Sequence, residues 1–249
     1  MSEAVTLALY IARSDIRSRY ARSVLGSFWI TVQQAIFVGV AAAVFPAVFG
    51  APLESYVPFF AVSLLMWTFF STALLESMDT LSANAAMIKD RGFSPSVFLL
   101  ATFFKGIMMT AHAAPVPILL ALWFGAVPFA GFLQALPGLA FFFITAAGAA
   151  YGLGLAAARF RDLKRLMESV IQLAFLVTPI LWQPHFVRER SSLIVDVNPL
   201  AHLFIAWRQP LLGDGPNLFS LAMAALVALA AVAFAWAMSR AMSRIALWV

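Results

Sequence analysis

The sequence contains no cysteine, and only 11% of its 249 residues are charged. The first absence excludes disulfides, thiolate nucleophiles and Cys-ligated metal, without locating the protein. The second excludes an ordinary water-soluble domain, in which about a quarter of the residues carry charge. Further absences narrow the chemistry. The three lysines follow Ile88, Phe104 and Leu163, never a glycine, so there is no Walker A loop and no nucleotide site of the chain's own is expected. His112, His185 and His202 stand far apart, without H-E-x-x-H or paired spacing, which argues against zinc. G-x-S-x-G is missing, which argues against a serine hydrolase within the membrane. His112 reads as a side chain satisfied by a neighbouring helix rather than as a catalyst. Residues 1–22 hold no uninterrupted apolar core of the kind a secretory signal carries.

What is present is apolar. Hydrophobic residues make up 63% of the chain, and the mean hydropathy is +0.93. One water-soluble core cannot hide that much apolar surface, so lipid is the expected solvent and helices the expected spanning elements. Six stretches approach the roughly 20 residues that a crossing needs. They are residues 28–49, 57–77, 97–124, 132–158, 167–182 and 219–238. The fifth is short: its sixteen residues, at about 1.5 Å each, fall below a hydrocarbon core of about 30 Å.

Charge sets the orientation. Twelve of the sixteen basic residues fall before the first span, after the second and fourth, and after the sixth. By the positive-inside rule those segments, and both termini, are expected in the cytoplasm. The net charge of +5 therefore reflects Arg-rich loops rather than a nucleic-acid surface.

Residues 5–20 place Val5, Leu9, Ala12, Ile16 and Tyr20 on one helical stripe, which predicts an amphipathic helix in the cytoplasmic interface. It is either an anchor that sets topology or a working part. Gly26 permits the bend from lying flat to crossing. Residues 80–98 hold Leu81, Ala85 and Ile88 at helical spacing before Gly92 and Pro95, which predicts a short helix that sits on lipid or docks on a cytoplasmic partner. Glu76 and Lys105 fall near the cytoplasmic ends of neighbouring spans, where they either pair or reach the headgroups separately. Gly148 and Gly152 offer close helix contact, expected within the subunit more than across a dimer. Residues 184–217 are too polar to span. Leu203, Trp207 and Leu211 nevertheless recur at i, i+4 and i+8, which suggests short helices dipping back toward the membrane to line or cap a path. No acid lies near the middle of a span, which argues against a proton-coupled secondary transporter.

Four stretches in order carry a family resemblance: "RSRYARSVLGSFWITVQQ", "WTFFSTALLESMDTLSANAAMIKDRGFSPSVF", "YGLGLAAARFRDLKRLMESVIQLAFLVTPILW" and "NPLAHLFIAWRQPLL". Together they resemble the membrane subunits of type-two ABC exporters, in particular the polysaccharide-export permeases (O-antigen, capsule, teichoic acid). The resemblance implies an all-α integral membrane fold. It would have six transmembrane helices, an N-terminal amphipathic interface helix, and re-entrant extracytoplasmic helices between the fifth and sixth spans.

As one domain over 1–249, the chain would divide into an interface helix (1–27), spans one to five (28–183), a gate region (184–217), and the sixth span with a cytoplasmic tail (218–249). The implied assembly is a homodimer with two copies of a separate ATPase, in the bacterial inner membrane. Mg-ATP would sit on that partner, and this chain would carry neither catalytic residues nor a cofactor. A coupling helix is implied at about 79–93, with Ser82, Asn84, Ile88, Lys89 and Arg91. Gate helices are implied within 184–212, with Pro199, Trp207 and Arg208. The implied cargo is a glycan on undecaprenyl-diphosphate or another lipid carrier. A teichoic acid, or a small amphiphile or drug, is the alternative within the family. Lys105 departs from the family pattern.

Under that reading, Arg17, Arg19 and Arg22 are candidates to hold a lipid diphosphate at the cytoplasmic mouth through charge-assisted hydrogen bonds. Phe28, Trp29, Gln33, Phe37 and Trp182 are candidates to line the conduit, the rings offering flat faces to sugar C–H surfaces.

Overall fold

The computed structural model describes residues 3–21, 23–185 and 193–241. All regular structure among them is helical. The helices are α1 (Glu3–Tyr20), α2 (Phe28–Phe49), α3 (Leu53–Ala83), α4 (Ala85–Arg91), α5 (Pro95–Ala113), α6 (Pro115–Trp123), α7 (Phe129–Arg159), α8 (Leu163–Val177), α9 (Leu193–Asp196), α10 (Pro199–Leu211) and α11 (Leu218–Ala241). Five of them, α2, α3, α5, α7 and α11, are long and apolar enough to cross a membrane.

Two sequence expectations are redrawn. The third stretch divides into α5 and α6 at Ala114, because Pro115 and Pro117 have no N–H to continue the ladder. The fifth stretch begins earlier and stops sooner than expected. Helix α8 runs only fifteen residues, about 22 Å, and ends before Thr178 and Pro179. Its apolar residues Leu166, Val170, Leu173 and Val177 stand exposed at helical spacing, forming a stripe that nothing among the described residues covers.

The centre of the molecule is α7, which packs on α11, α3 and α10. Where lipid is the solvent, apolar surface alone gives helices no reason to associate, so packing depends on close approach. Helix α7 supplies it with glycines. A Cβ at Gly148 would stand 2.8 Å from the carbonyl of Ala231, and one at Gly152 would run into the ring of Phe234. The G-x-x-x-G pair therefore holds α11 within the same subunit. Helix α11 answers with Ser220, Ala224, Ala228 and Ala231 buried in one small-residue row, and turns Leu226, Leu229, Val232 and Trp236 outward. At Gly138 the backbone of α10 presses on the same surface: a Cβ there would overlap the carbonyl of Ala206 and lie 2.7 Å from the amide of Trp207.

Around these contacts the core is aromatic. Phe142 meets Phe204 edge-on at 5.4 Å and Trp207 at 6.2 Å, and Trp67 leans on Phe175 and Phe204. Edge-on arrangements of this kind add to simple area burial. Leu203 and Trp207 of the i, i+4 pattern are fully inside this cluster.

Helix α1 lies along α5, with Ala8 buried against Val97 and Ala101 and Ala12 buried one turn further on. Val5, Leu9, Ile16 and Tyr20 of the expected stripe are half-buried around them.

Candidate functional site

Three groups of polar residues interrupt this apolar body. The first joins α1 to α3 and α5. Lys105, 9% exposed, holds Glu76 at 2.9 Å, so the two charges pair rather than reach outward separately. Glu76 also accepts from Arg19 at 3.1 Å, and Asp15 stands 3.8 Å from Lys105. Two cations and two carboxylates therefore share one junction. Arg19, a candidate for the lipid diphosphate, gives one nitrogen, Nη2, to Glu76 and stays 47% exposed. Arg17 is exposed with no ion pair among the described residues, and Arg22 lies outside them.

The second group is the edge formed by the end of α3, α4 and the start of α8. Helix α4 is shorter than the expected 79–93 because α3 continues to Ala83. Asn84 marks the join, its Nδ2 donating to the Thr80 carbonyl at 2.8 Å. Gly92 ends α4 in the left-handed region (φ +68°), its N–H returning to the Met87 carbonyl, a conformation that favours glycine. Ile88 faces inward, packed with Leu81, Phe98, Leu99 and Leu155, so it anchors the helix and offers nothing to a partner. Ser82, Met87, Lys89, Asp90 and Arg91 face outward. Beside them a cavity of about 460 Å³ is lined by Asp79, Ser82, Arg161 and Lys164, among others. Lys164 reaches Asp79 at 2.6 Å. That hydrogen bond raises the Lys164 pKa above the usual lysine value, so the pair survives neutral pH and is lost only as pH climbs through the raised value.

The third group lies where α8 ends. A chain that leaves helical geometry inside an apolar body exposes carbonyls that must find donors. Four of them are met by side chains. Trp182 Nε1 donates to the Leu176 carbonyl at 3.0 Å, and Asn198 Nδ2 to that of Val177 at 3.4 Å. Arg208 Nη1 donates to Pro179 at 2.6 Å, and the Tyr56 hydroxyl to Leu181 at 2.8 Å. Gln183 Nε2 adds a bond to the Ser55 carbonyl at 3.3 Å. Asn198 also caps α10: its Oδ1 accepts from the amides of Leu200 and Ala201, and Pro199 takes the first helical position, where no N–H is needed.

Arg208 is 2% exposed. Its guanidinium lies 4.0 Å over the Phe59 ring and also donates to Ser63 Oγ at 2.8 Å. His202 is satisfied at both nitrogens, by Ser220 Oγ and the Asp196 carbonyl. Trp207 is core, with its Nε1 unpartnered, so it lines no open path in the single chain.

The conduit candidates fall in different settings. Phe28, Trp29 and Phe37 are exposed on α2. Trp182 is half-buried against Val195, Ala201 and Ile205. Gln33 lines a cavity of about 260 Å³ between α2, α3 and α5, beside Gln34, Thr68 and Thr110. His112 bonds the Met108 carbonyl of its own helix, not a neighbouring one, and its carbonyl accepts from Thr31. Among the described residues, no cluster of three His, Asp or Glu is placed to hold a metal.

Sequence reasoning did not single out Tyr56, Ser63, Phe59 or Asn198. Only Asn198 carried a readable signal, the Asn-Pro pair that opens a helix.

No family model matches the chain. Curated relatives do. It is 28% identical over 206 residues to an O-antigen export system permease protein RfbA of Klebsiella pneumoniae, covering 81% of this chain and 78% of that protein. It is 23% identical over 230 residues to the protein of the same name from Myxococcus xanthus, covering 90% and 88%. With the apolar, all-helical architecture, these relatives support the assignment that the four sequence stretches suggested, a type-two ABC exporter permease for polysaccharide.

Proposed function

We propose that this chain is the permease subunit of an ATP-driven exporter that moves lipid-linked polysaccharide, of O-antigen or capsule type, across the cytoplasmic membrane. The observation that carries the reading is the similarity to O-antigen export permeases over four-fifths of the chain. Nucleotide hydrolysis belongs to a separate ATPase, in keeping with a sequence that has no Walker A lysine.

Helix α4 is the coupling element. It is braced from inside by Ile88 and turns Ser82 and Lys89 to Arg91 toward a partner. Two copies of the chain form the conduit. The uncovered apolar stripe of α8 and the exposed rings of α2 supply a surface for the second copy. Helix α8 with the stretch after it makes the fifth of six spans, and α9 and α10 are the gate helices that return into the membrane. Both termini lie in the cytoplasm, where Arg17 and Arg22 meet the lipid diphosphate.

The test is a deletion strain. Loss of the gene should leave lipid-linked glycan on the cytoplasmic leaflet and none at the surface, and the permease should co-purify with the ATPase encoded beside it. Normal surface glycan in the deletion strain would end the reading. Accumulation of a teichoic acid precursor would keep the mechanism and change the cargo.

A further inference from the structure

Among the described residues, Arg208 is a buried cation without a counter-ion. Among the described residues no carboxylate lies within ion-pair distance of it, and its two hydrogen bonds both leave from Nη1, to neutral oxygens. Among the described residues the Nε and Nη2 edge has no partner. One face of the group is covered by Phe59. Arginine does not shed its proton in a protein, so the charge stays and its burial is costly while uncompensated.

That residue also lines a cavity of about 210 Å³, together with Phe59, Gln209, Ile205, His185 and Asp214. The cavity is graded. Arg208 is buried, Gln209 is half-buried, and His185 and Asp214 are exposed. An exposed carboxylate at the mouth is weakened by water, so it repels an incoming anion but only partly offsets a charge that is 2% exposed.

We propose that this cavity is a binding site for an oxyanion, the carboxylate or phosphate group of a larger molecule, held by the open edge of Arg208. An edge of two parallel N–H donors matches the two oxygens of such a group, and the side-chain amide of Gln209 is available to donate a further bond. The volume admits one anionic group with a few attached atoms, not an extended chain. A sugar carboxylate and a phosphate ester present the same two oxygens. The site does not rest on the export reading, which is tested by surface glycan rather than by binding.

The experiment uses the full chain in detergent micelles at constant ionic strength. Inorganic phosphate and glucuronate are titrated against chloride, with glucose as the neutral control, and the thermal unfolding midpoint is read. A ligand that binds only the folded state raises the midpoint, here by about 2–4 °C near saturation. Either oxyanion should do so and glucose should not. Preference for glucuronate points to an acidic sugar, and preference for phosphate to a phosphate ester. Arg208→Gln should abolish the rise. Because that variant removes bonds to Ser63 and Pro179 and risks the fold, Asp214→Asn is the second arm. Removing the mouth carboxylate should lower the half-saturating concentration about fivefold. No rise with either oxyanion, a rise that persists in Arg208→Gln, or an unchanged half-saturation in Asp214→Asn overturns the proposal.

Discussion

Lys105 and Arg208 are both cations inside an apolar body, and the chain accommodates them by opposite means. Lys105 has a carboxylate at 2.9 Å and a second at 3.8 Å. Arg208 has none among the described residues, and rests on a ring face, a hydroxyl and a carbonyl. The difference follows from the two groups. An ammonium is a compact, strongly hydrated point charge that requires an opposite charge when water leaves. A guanidinium is planar, more weakly hydrated, and tolerates an aromatic face with neutral acceptors. The two settings also do different structural work. The Lys105 junction ties three helices by charge. Arg208 ties α3, the turn after α8, and α10 by hydrogen bonds to groups that would otherwise be orphaned.

The sharpest way to break this comparison is to remove Arg208. Arg208→Met keeps much of the volume but leaves the Pro179 carbonyl and Ser63 without their donor. A loss of about 3 kcal/mol is expected, by analogy with breaking a buried charged contact. Arg208→Lys should not restore it, since one ammonium cannot reach both acceptors and lie over Phe59 as well. Denaturant unfolding in micelles measures both. A lysine variant as stable as the native chain would show that the setting does not depend on the planar group.

The Lys105 junction should respond less strongly, because Glu76 is partly exposed. Glu76→Gln is expected to lower stability by about 2 kcal/mol. The exchanged pair Glu76→Lys with Lys105→Glu should recover about half of what the two single changes lose together. Recovery is incomplete because Arg19 then faces a lysine. Full additivity of the single losses in a double-mutant cycle would mean that the contact carries no coupling.

How legible each setting was in the sequence separates them again. Glu76 and Lys105 were readable as a pair from position alone, since both fall near the same end of neighbouring antiparallel spans. Their partners Asp15 and Arg19 were not, because that requires α1 to dock on α5, and two buried alanines leave a faint hydrophobic signature. The spans α2, α3, α7 and α11 were legible from uninterrupted apolar runs. The division at Pro115 and the early end of α8 at Thr178 had visible prolines, yet hydropathy averages across them. Arg208 was named only through the family resemblance, as a gate-helix residue. Its partners lie 29 to 149 positions away, among them the backbone oxygen of a proline, which no periodicity reports. The inward turn of Ile88 was present in its spacing with Leu81, but the family pattern drew attention to the helix as a whole rather than to its faces.

A smaller effect is expected where a neutral side chain does the stitching. Asn198→Ala removes the cap on α10 and one donor to the end of α8. A loss of about 1 kcal/mol is expected. Because α10 is buried on nearly every side, the change should also increase amide exchange at Leu200 and Ala201 before global unfolding. Unchanged exchange there would mean that packing alone fixes the helix start.

The smallest stability effects belong to the exposed charges. Asp79→Asn removes the carboxylate that Lys164 holds at 2.6 Å, yet both side chains are open to water. A cost of about 0.5 kcal/mol, shrinking further in high salt, is expected. Lys89 is exposed and makes no hydrogen bond or ion pair among the described residues, so Lys89→Glu should leave the unfolding curve unmoved. It alters the charge on the outward face of α4, so under the proposed function it should reduce export while the permease still inserts and still binds oxyanion. A Lys89→Glu strain with normal surface glycan would remove α4's outward face from the coupling role and leave its buried Ile88 as the helix's only evident contribution.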